Sequence, residues 1–289
     1  MKILVTGVTG QLGYDCVREL KERNIEYVAP TSKEMDITDE VSVLNWVTKS
    51  KVDGVIHCAA YTAVDMAETH EELCRKINYE GTKNVASACR ANNIKMIYIS
   101  TDYVFDGTGE KPREIYDKPN PINVYGMTKL QGEEAVKELL EKYFIVRISW
   151  VFGVNGKNFI RTMLDVARNH DTLTVVDDQF GSPTFTYDLS KLLVDMIGTK
   201  KYGIYHATNE GTTTWYEFAK EIFKLKNNKT NVLPVSTEKY YSRAKSVIAN
   251  RPRNSRLDKS RLSEMGFKPL PSWQDALKRY LKMLDSIDL

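Results

Sequence analysis

The sequence predicts an α/β protein with a doubly wound parallel sheet, followed by a smaller and less regular α/β domain. Three observations carry this expectation. First, short β-rich runs at 2–6, 26–29, 54–58, 96–100 and 144–150 alternate with helix-periodic segments at 12–23, 41–49, 71–91 and 123–142. Strand–helix–strand repetition at this spacing calls for parallel strands joined by crossover helices. Second, the runs ILV, GVI and MIYI are apolar on consecutive residues, as in strands covered on both faces. Third, the rhythm loosens after Trp150.

Beyond that point a helix at 158–168 precedes a β run at 173–176, and a helix at 187–197 leads to GIYHA at 203–207. A further helix at 215–225 is followed by a tail rich in Arg, Ser, Asn and Pro. The run 203–207, within a segment near 180–209, has the character of a strand returning to the first sheet. The domains are therefore drawn at 1–150, joined by that return, and at 151–289, mainly for substrate.

Composition narrows the class. An apolar content of 42% with 27% charged residues is that of a soluble globular chain. No stretch approaches the roughly 18 apolar residues that span a bilayer, and MKILV lacks a signal peptide's apolar region. A cytoplasmic protein without a membrane partner is expected. The formal charge of +3 is too small to argue for nucleic acid. One stretch, from Arg243 to Arg261, concentrates Lys245, Arg251, Arg253, Arg256 and Lys259 against Asp258 alone. Cys16, Cys58, Cys74 and Cys89 form no CxxC pair and read as buried free thiols. His57 reads as a packed strand residue. His70, His170 and His206 have no companions at ligand spacing, so no catalytic zinc is expected. Trp46, Trp215 and Trp273 read as core or domain-contact residues.

The opening TGVTGQLG places Gly7, Gly10 and Gly13 where the first strand becomes the first helix. A helix N-terminus offers unpaired N–H groups and a partial positive charge, which suit a dinucleotide's pyrophosphate. Glycines there permit the turn and the close approach. Gln11 and Leu12 belong to the same turn. After the second strand an acidic residue would favour NAD, but the sequence reads Pro30-Thr31-Ser32-Lys33. NADPH is the expected cofactor, and the nearby Glu34 leaves NADH open.

Tyr125-Gly-Met-Thr-Lys129 puts a phenol and an ammonium four residues apart on one helix face. The ammonium is expected to lower the tyrosine pKa and to hold a ribose hydroxyl. The strand at 96–100 runs into Ser100-Thr101-Asp102, at the end of a parallel sheet where ligands bind. Thr101, Tyr125 and Lys129 are the parts needed to protonate an oxygen while hydride reaches its carbon.

TGVTGQLG, Ser100/Thr101 and YGMTK resemble the extended short-chain dehydrogenase/reductases, a Rossmann-like family, over nearly the whole chain. Within it, MDITD, AAYTAVDMAE, STDYVFDG, DQFGSPT and RPRNSRLD are similar to the dTDP-4-dehydrorhamnose reductases. The resemblance implies NADPH-dependent reduction of a 4-keto nucleotide sugar, the last step of dTDP-L-rhamnose synthesis. It implies that Asp36 and Ile37 lie by the adenine and that Ala59, Ala60 and Tyr61 line the cofactor. It places Thr62, Val64, Tyr103 and Trp150 near the sugar and Arg251 near the diphosphate, where arginine's planar fork of donors fits. Some such relatives are Mg²⁺-bridged dimers, but no acidic set here can be matched to the ion, and monomer and homodimer both stay open. Sugar-nucleotide dehydratases carry Asp-Glu after the threonine, whereas here Asp102 is followed by Tyr103. An epimerase and an NADP-binding regulatory subunit are the alternatives.

Overall fold

The computed structural model describes residues 1–243 and 247–287, so Lys245 of the basic stretch lies outside the described residues. Five strands from the first half form a parallel sheet: β1 (Lys2–Thr6), β2 (Glu26–Val28), β3 (Gly54–His57), β4 (Lys95–Thr101) and β5 (Tyr143–Ile148). A sixth, β6 (Gly203–His206), returns from the second half and pairs in parallel with β5. The order across the sheet is β6-β5-β4-β3-β1-β2. The expected return strand is thus part of the first sheet.

Consecutive apolar residues point to opposite faces of a strand, and both faces are covered here. Ile3, Val5, Ile97, Ile99 and Val146 pack under helices Gln11–Glu22 and Thr186–Ile197. Leu4, Val55, Met96, Tyr98 and Ile145 face helices Glu40–Ser50, Thr82–Ala91 and Val124–Leu139. All six strands run the same way. Thr6, His57, Thr101 and Ile148 therefore end at one edge.

Two elements depart from the sequence pattern. The continuous helix expected at 71–91 is broken into Glu71–Arg75, a π-helical turn Lys76–Gly81, and Thr82–Ala91. The tail after 225 holds a strand, Asn231–Val235, paired with Thr172–Val176, and a helix, Trp273–Ile287. That helix buries Trp273, Ala276, Leu277, Tyr280, Leu281 and Leu284, spaced at a helical period. They join Phe152, Ile160, Phe185, Phe218 and Ile222 in a separate core for the C-terminal lobe.

Candidate active site

The edge where the strands end opens into a cleft of ≈ 820 Å³ between the sheet and the C-terminal lobe. Gly7 sits at φ +67, and a Cβ there would lie 2.6 Å from the Ala59 backbone nitrogen. A Cβ on Gly13 would lie 2.2 Å from the Gly7 carbonyl oxygen. The turn thus presses against both the next strand and its own helix, closer than any side chain permits. Asp39, Asn123 and Thr214 cap their helices with side-chain hydrogen bonds. Gly10, at the start of Gln11–Glu22, offers none, so these N–H groups stay available to an anion. The donors and the glycine cradle fit a dinucleotide. From the C-terminal lobe, Asn155 donates to the Thr9 carbonyl at 2.9 Å and Asn158 to Gln11 Oε1 at 3.2 Å.

Below the turn, the Thr6 hydroxyl and His57 Nδ1 are 2.8 Å apart, and the Ala59 N–H donates to Thr6 Oγ1. Burial, with the Lys129 charge, pushes His57 down to about 3. His57 is a neutral packing residue, as expected.

Asn78, on the π-helical turn, takes a hydrogen bond from the Tyr61 N–H at 2.8 Å and returns one to the Tyr61 carbonyl. It also donates to the Thr128 hydroxyl. One residue therefore ties the loop after β3 to the helix carrying Tyr125 and Lys129. Sequence reasoning missed it, since nothing marks an asparagine in a helical pattern as facing a loop. Tyr61 is pinned by this pair and is not among the cleft-lining residues. Gln11, Leu12, Asp36, Ile37, Ala59, Ala60, Thr62, Val64, Tyr103, Trp150 and Arg251 all line it.

Thr101, Tyr125 and Lys129 meet in this cleft. Asn123 starts the tyrosine's helix by accepting from the Gly126 N–H at 2.7 Å. Gly126 and Gly132 lie against the Tyr103 carbonyl and the Tyr98 phenol, so the helix sits directly on β4. Tyr103 meets the Tyr125 ring edge to face at 5.5 Å. The Lys129 ammonium donates to the Ile99 carbonyl at 2.7 Å and lies 4.1 Å from the centre of the Tyr98 ring. Burial pulls it down to about 7, partly offset by Glu133. Behind it, Glu133 accepts from Ser100 and is held in a buried ion pair by Arg147.

One expectation is corrected here. The phenol of Tyr125 is raised, not lowered: burial leads, the Asp102 charge adds to it, and a hydrogen bond with Thr101 offsets only part. The helix spacing is as expected, but the ammonium is engaged with the Ile99 carbonyl. Tyr125 is accordingly a protonated donor at neutral pH. Thr101 itself donates to Asp102 Oδ1 at 3.1 Å, and burial pushes Asp102 up to about 6.

The basic stretch does not form one anion site. Arg256 lies over the Phe180 ring and Lys259 pairs with Glu210. Arg251 reaches the cleft, where Asp65 accepts from it at 2.8 Å. Gly107 admits this segment, since a Cβ there would lie 2.4 Å from Pro252 Cα. On the cofactor side, Glu34 is turned back onto Thr31 by two bonds of 2.8 Å, while Pro30 and Ser32 face the cleft. Lys157 and Phe159, unassigned from sequence, also line it, and so does Trp215, expected only as a core or domain-contact residue but half-buried with its ring at the cleft. Cys16, Cys74 and Cys89 are buried free thiols, but Cys58 is half-buried in the cleft wall. Among the described residues no group of three or more His, Cys, Asp or Glu gathers to hold a metal. No described helix is long and apolar enough to cross a membrane.

The family model described as RmlD substrate binding domain matches residues 1–286. The chain belongs to this family. Among relatives of the RmlD chain, the dTDP-4-dehydrorhamnose reductase of Streptomyces griseus is 41% identical over 95% of this chain and 91% of its own length. The dTDP-4-keto-6-deoxy-D-glucose reductase of Streptomyces niveus is 37% identical over 98% of this chain and 97% of its own. The crystal structure of dTDP-4-dehydrorhamnose reductase from Bacillus anthracis, in complex with NADP, superposes with a TM-score of 0.93 at 41% identity, covering 98% of this chain and 99% of that one. The expected resemblance is thus a family membership.

Proposed function

We propose that this RmlD-family chain is a cytoplasmic reductase that uses NADPH to convert dTDP-4-dehydro-L-rhamnose into dTDP-L-rhamnose. The observation that carries the reading is the convergence of buried Thr101 and Lys129 with half-buried Tyr125, at the end of the glycine-bordered cleft, with the phenol kept protonated. The NADP complex of the Bacillus anthracis relative supports the cofactor. So does the turning of Glu34 away from the cleft.

When bound, the cofactor supplies the hydride. The chain's residues do the rest. Gly7, Gly10, Gln11, Leu12 and Gly13 present N–H donors and space to its pyrophosphate. Asp36 and Ile37 flank the adenine, and Ala59 and Ala60 line the cofactor, while Tyr61, expected beside them, is tied back by Asn78 and braces this loop from behind. Lys129, with one donor on Ile99, turns its remaining protons toward the ribose. Tyr125 delivers its proton to the oxygen that becomes the C4 hydroxyl. Its raised pKa suits a reduction, because the acceptor is an alkoxide far more basic than a phenolate. Thr101, already hydrogen-bonded with Tyr125, holds the carbonyl in line. Thr62, Val64, Tyr103 and Trp150 surround the sugar, and Arg251 meets the diphosphate. The cofactor thus occupies the lobe of residues 1–150 with its return strand, and the sugar faces the remainder.

Sugar stereochemistry admits a second reading, favoured by the name of the Streptomyces niveus relative: a dTDP-linked 4-keto-6-deoxy-D-glucose. Both sugars should be offered with NADPH, and oxidation of the reduced nicotinamide followed. Faster turnover of dTDP-4-dehydro-L-rhamnose is expected. In Tyr125→Phe, kcat should fall by about 10²–10⁴ with NADPH affinity unchanged. Wild-type turnover in that variant would remove Tyr125 as proton donor.

A further inference from the structure

Trp150 follows β5 with φ +49, a left-handed conformation that is strained for a bulky side chain. Such a pose persists only where its surroundings enforce it. Three contacts do so. The Trp150 carbonyl accepts from the Thr184 N–H at 3.0 Å. Gly181 leaves room for the indole, since a Cβ there would lie 2.6 Å from Trp150 Cε2. Trp215 stacks on it, with ring centres 3.6 Å apart and planes at 11°.

Gly181 and Trp215 are brought together by a pair of short strands. Thr213–Thr214 pairs antiparallel with Phe180–Gly181, and Trp215 begins the helix that Thr214 caps. Thr214 also donates to Asp177 Oδ1 at 2.6 Å, and Phe159 packs on Trp215 at 4.6 Å. The first residue of this helix is therefore held from two sides, and both indoles line the cleft.

We infer that Trp215 is a positioning residue for the nucleotide sugar: it holds the Trp150 indole in its strained pose as a wall of the sugar half of the cleft. The inference rests on the functional reading above, in which Trp150 touches the sugar. Removing Trp215 leaves Trp150 free to leave the left-handed region, which weakens sugar binding and leaves the cofactor turn alone.

Stacked indoles couple their electronic transitions, so the pair gives the protein a far-ultraviolet circular dichroism couplet, which Trp150→Phe and Trp215→Phe should each abolish. In Trp215→Ala, KM for dTDP-4-dehydro-L-rhamnose should rise about tenfold, with kcat and NADPH affinity unchanged. Trp215→Phe keeps a ring on Trp150 and should restore most of the KM. Gly181→Ala reaches the same indole from another side and should raise KM while altering the couplet. A wild-type KM in a folded Trp215→Ala overturns the inference, whatever Gly181→Ala shows. Should Trp215→Ala lose its cooperative thermal transition, Gly181→Ala alone decides. A wild-type protein that leaves NADPH unoxidised with this sugar overturns the functional reading before any variant is made.

Discussion

Asp102 lies beside the candidate carbonyl-positioning threonine and is only 2% exposed, and burial holds its pKa near 6 rather than 3.8. A carboxyl whose folded pKa is raised binds its proton more tightly in the native state. Stability therefore falls as pH rises from about 4 to about 6 and stays lower above, by up to about 3 kcal/mol. His57 and His206, both held down to about 3 by burial, act in the opposite sense. They destabilise the fold as pH drops below 6.5, and they do so equally in wild type and in an Asp102 variant. Asp102→Asn should therefore exceed wild type in urea midpoint at pH 7.5 and lose that advantage by pH 4. An identical pH dependence in the two proteins would show that Asp102 titrates normally. At this scale the Tyr125–Lys129 pair was legible because helix spacing is local. The direction of the tyrosine's pKa was not, because it depends on burial and on which partner the ammonium finds.

Between β1 and its helix, the glycine turn is tight enough to test with one methyl group. In Gly13→Ala the new Cβ would meet the Gly7 carbonyl at 2.2 Å, backbone against backbone, and no side-chain rotation relieves it. NADPH at a hundred times its Kd should stabilise wild type by about 2.7 kcal/mol. A thermal unfolding series should show that rise disappear in the variant, whose own Tm also drops. A full cofactor-dependent rise would place the pyrophosphate elsewhere. The strands and most helices were readable from apolar runs and periodicity. The π-helical turn at Lys76–Gly81 was not, because an extra residue in a helical turn leaves the apolar pattern almost intact. What it changes is the direction of Asn78.

For the whole molecule, the sheet is completed out of sequence. β6 covers the outer edge of β5, from Gly203 opposite Phe144 to His206 opposite Arg147. Helix Thr186–Ile197 covers one face, burying Leu189, Leu192, Leu193 and Met196. A fragment ending at residue 150 lacks both, and leaves Phe144 and Val146 uncovered beside an open strand edge. It should fail to give a cooperative urea transition, whereas the full chain unfolds as a stable fold. Cooperative unfolding of that fragment would make 1–150 an autonomous unit.

The sequence by itself determined the parallel sheet, the glycine turn, the tyrosine–lysine helix and the family, because each is written in short-range spacing. Only the tertiary structure decided that Lys129 binds the Ile99 carbonyl, that Asn78 pins the loop at Tyr61, that Asp65 meets Arg251, and that Trp215 clasps Trp150. These partners stand between 17 and 186 positions apart in the chain. Their contacts come from the crossing of elements at the carboxyl edge of the sheet, and no local pattern encodes which side chains will meet there.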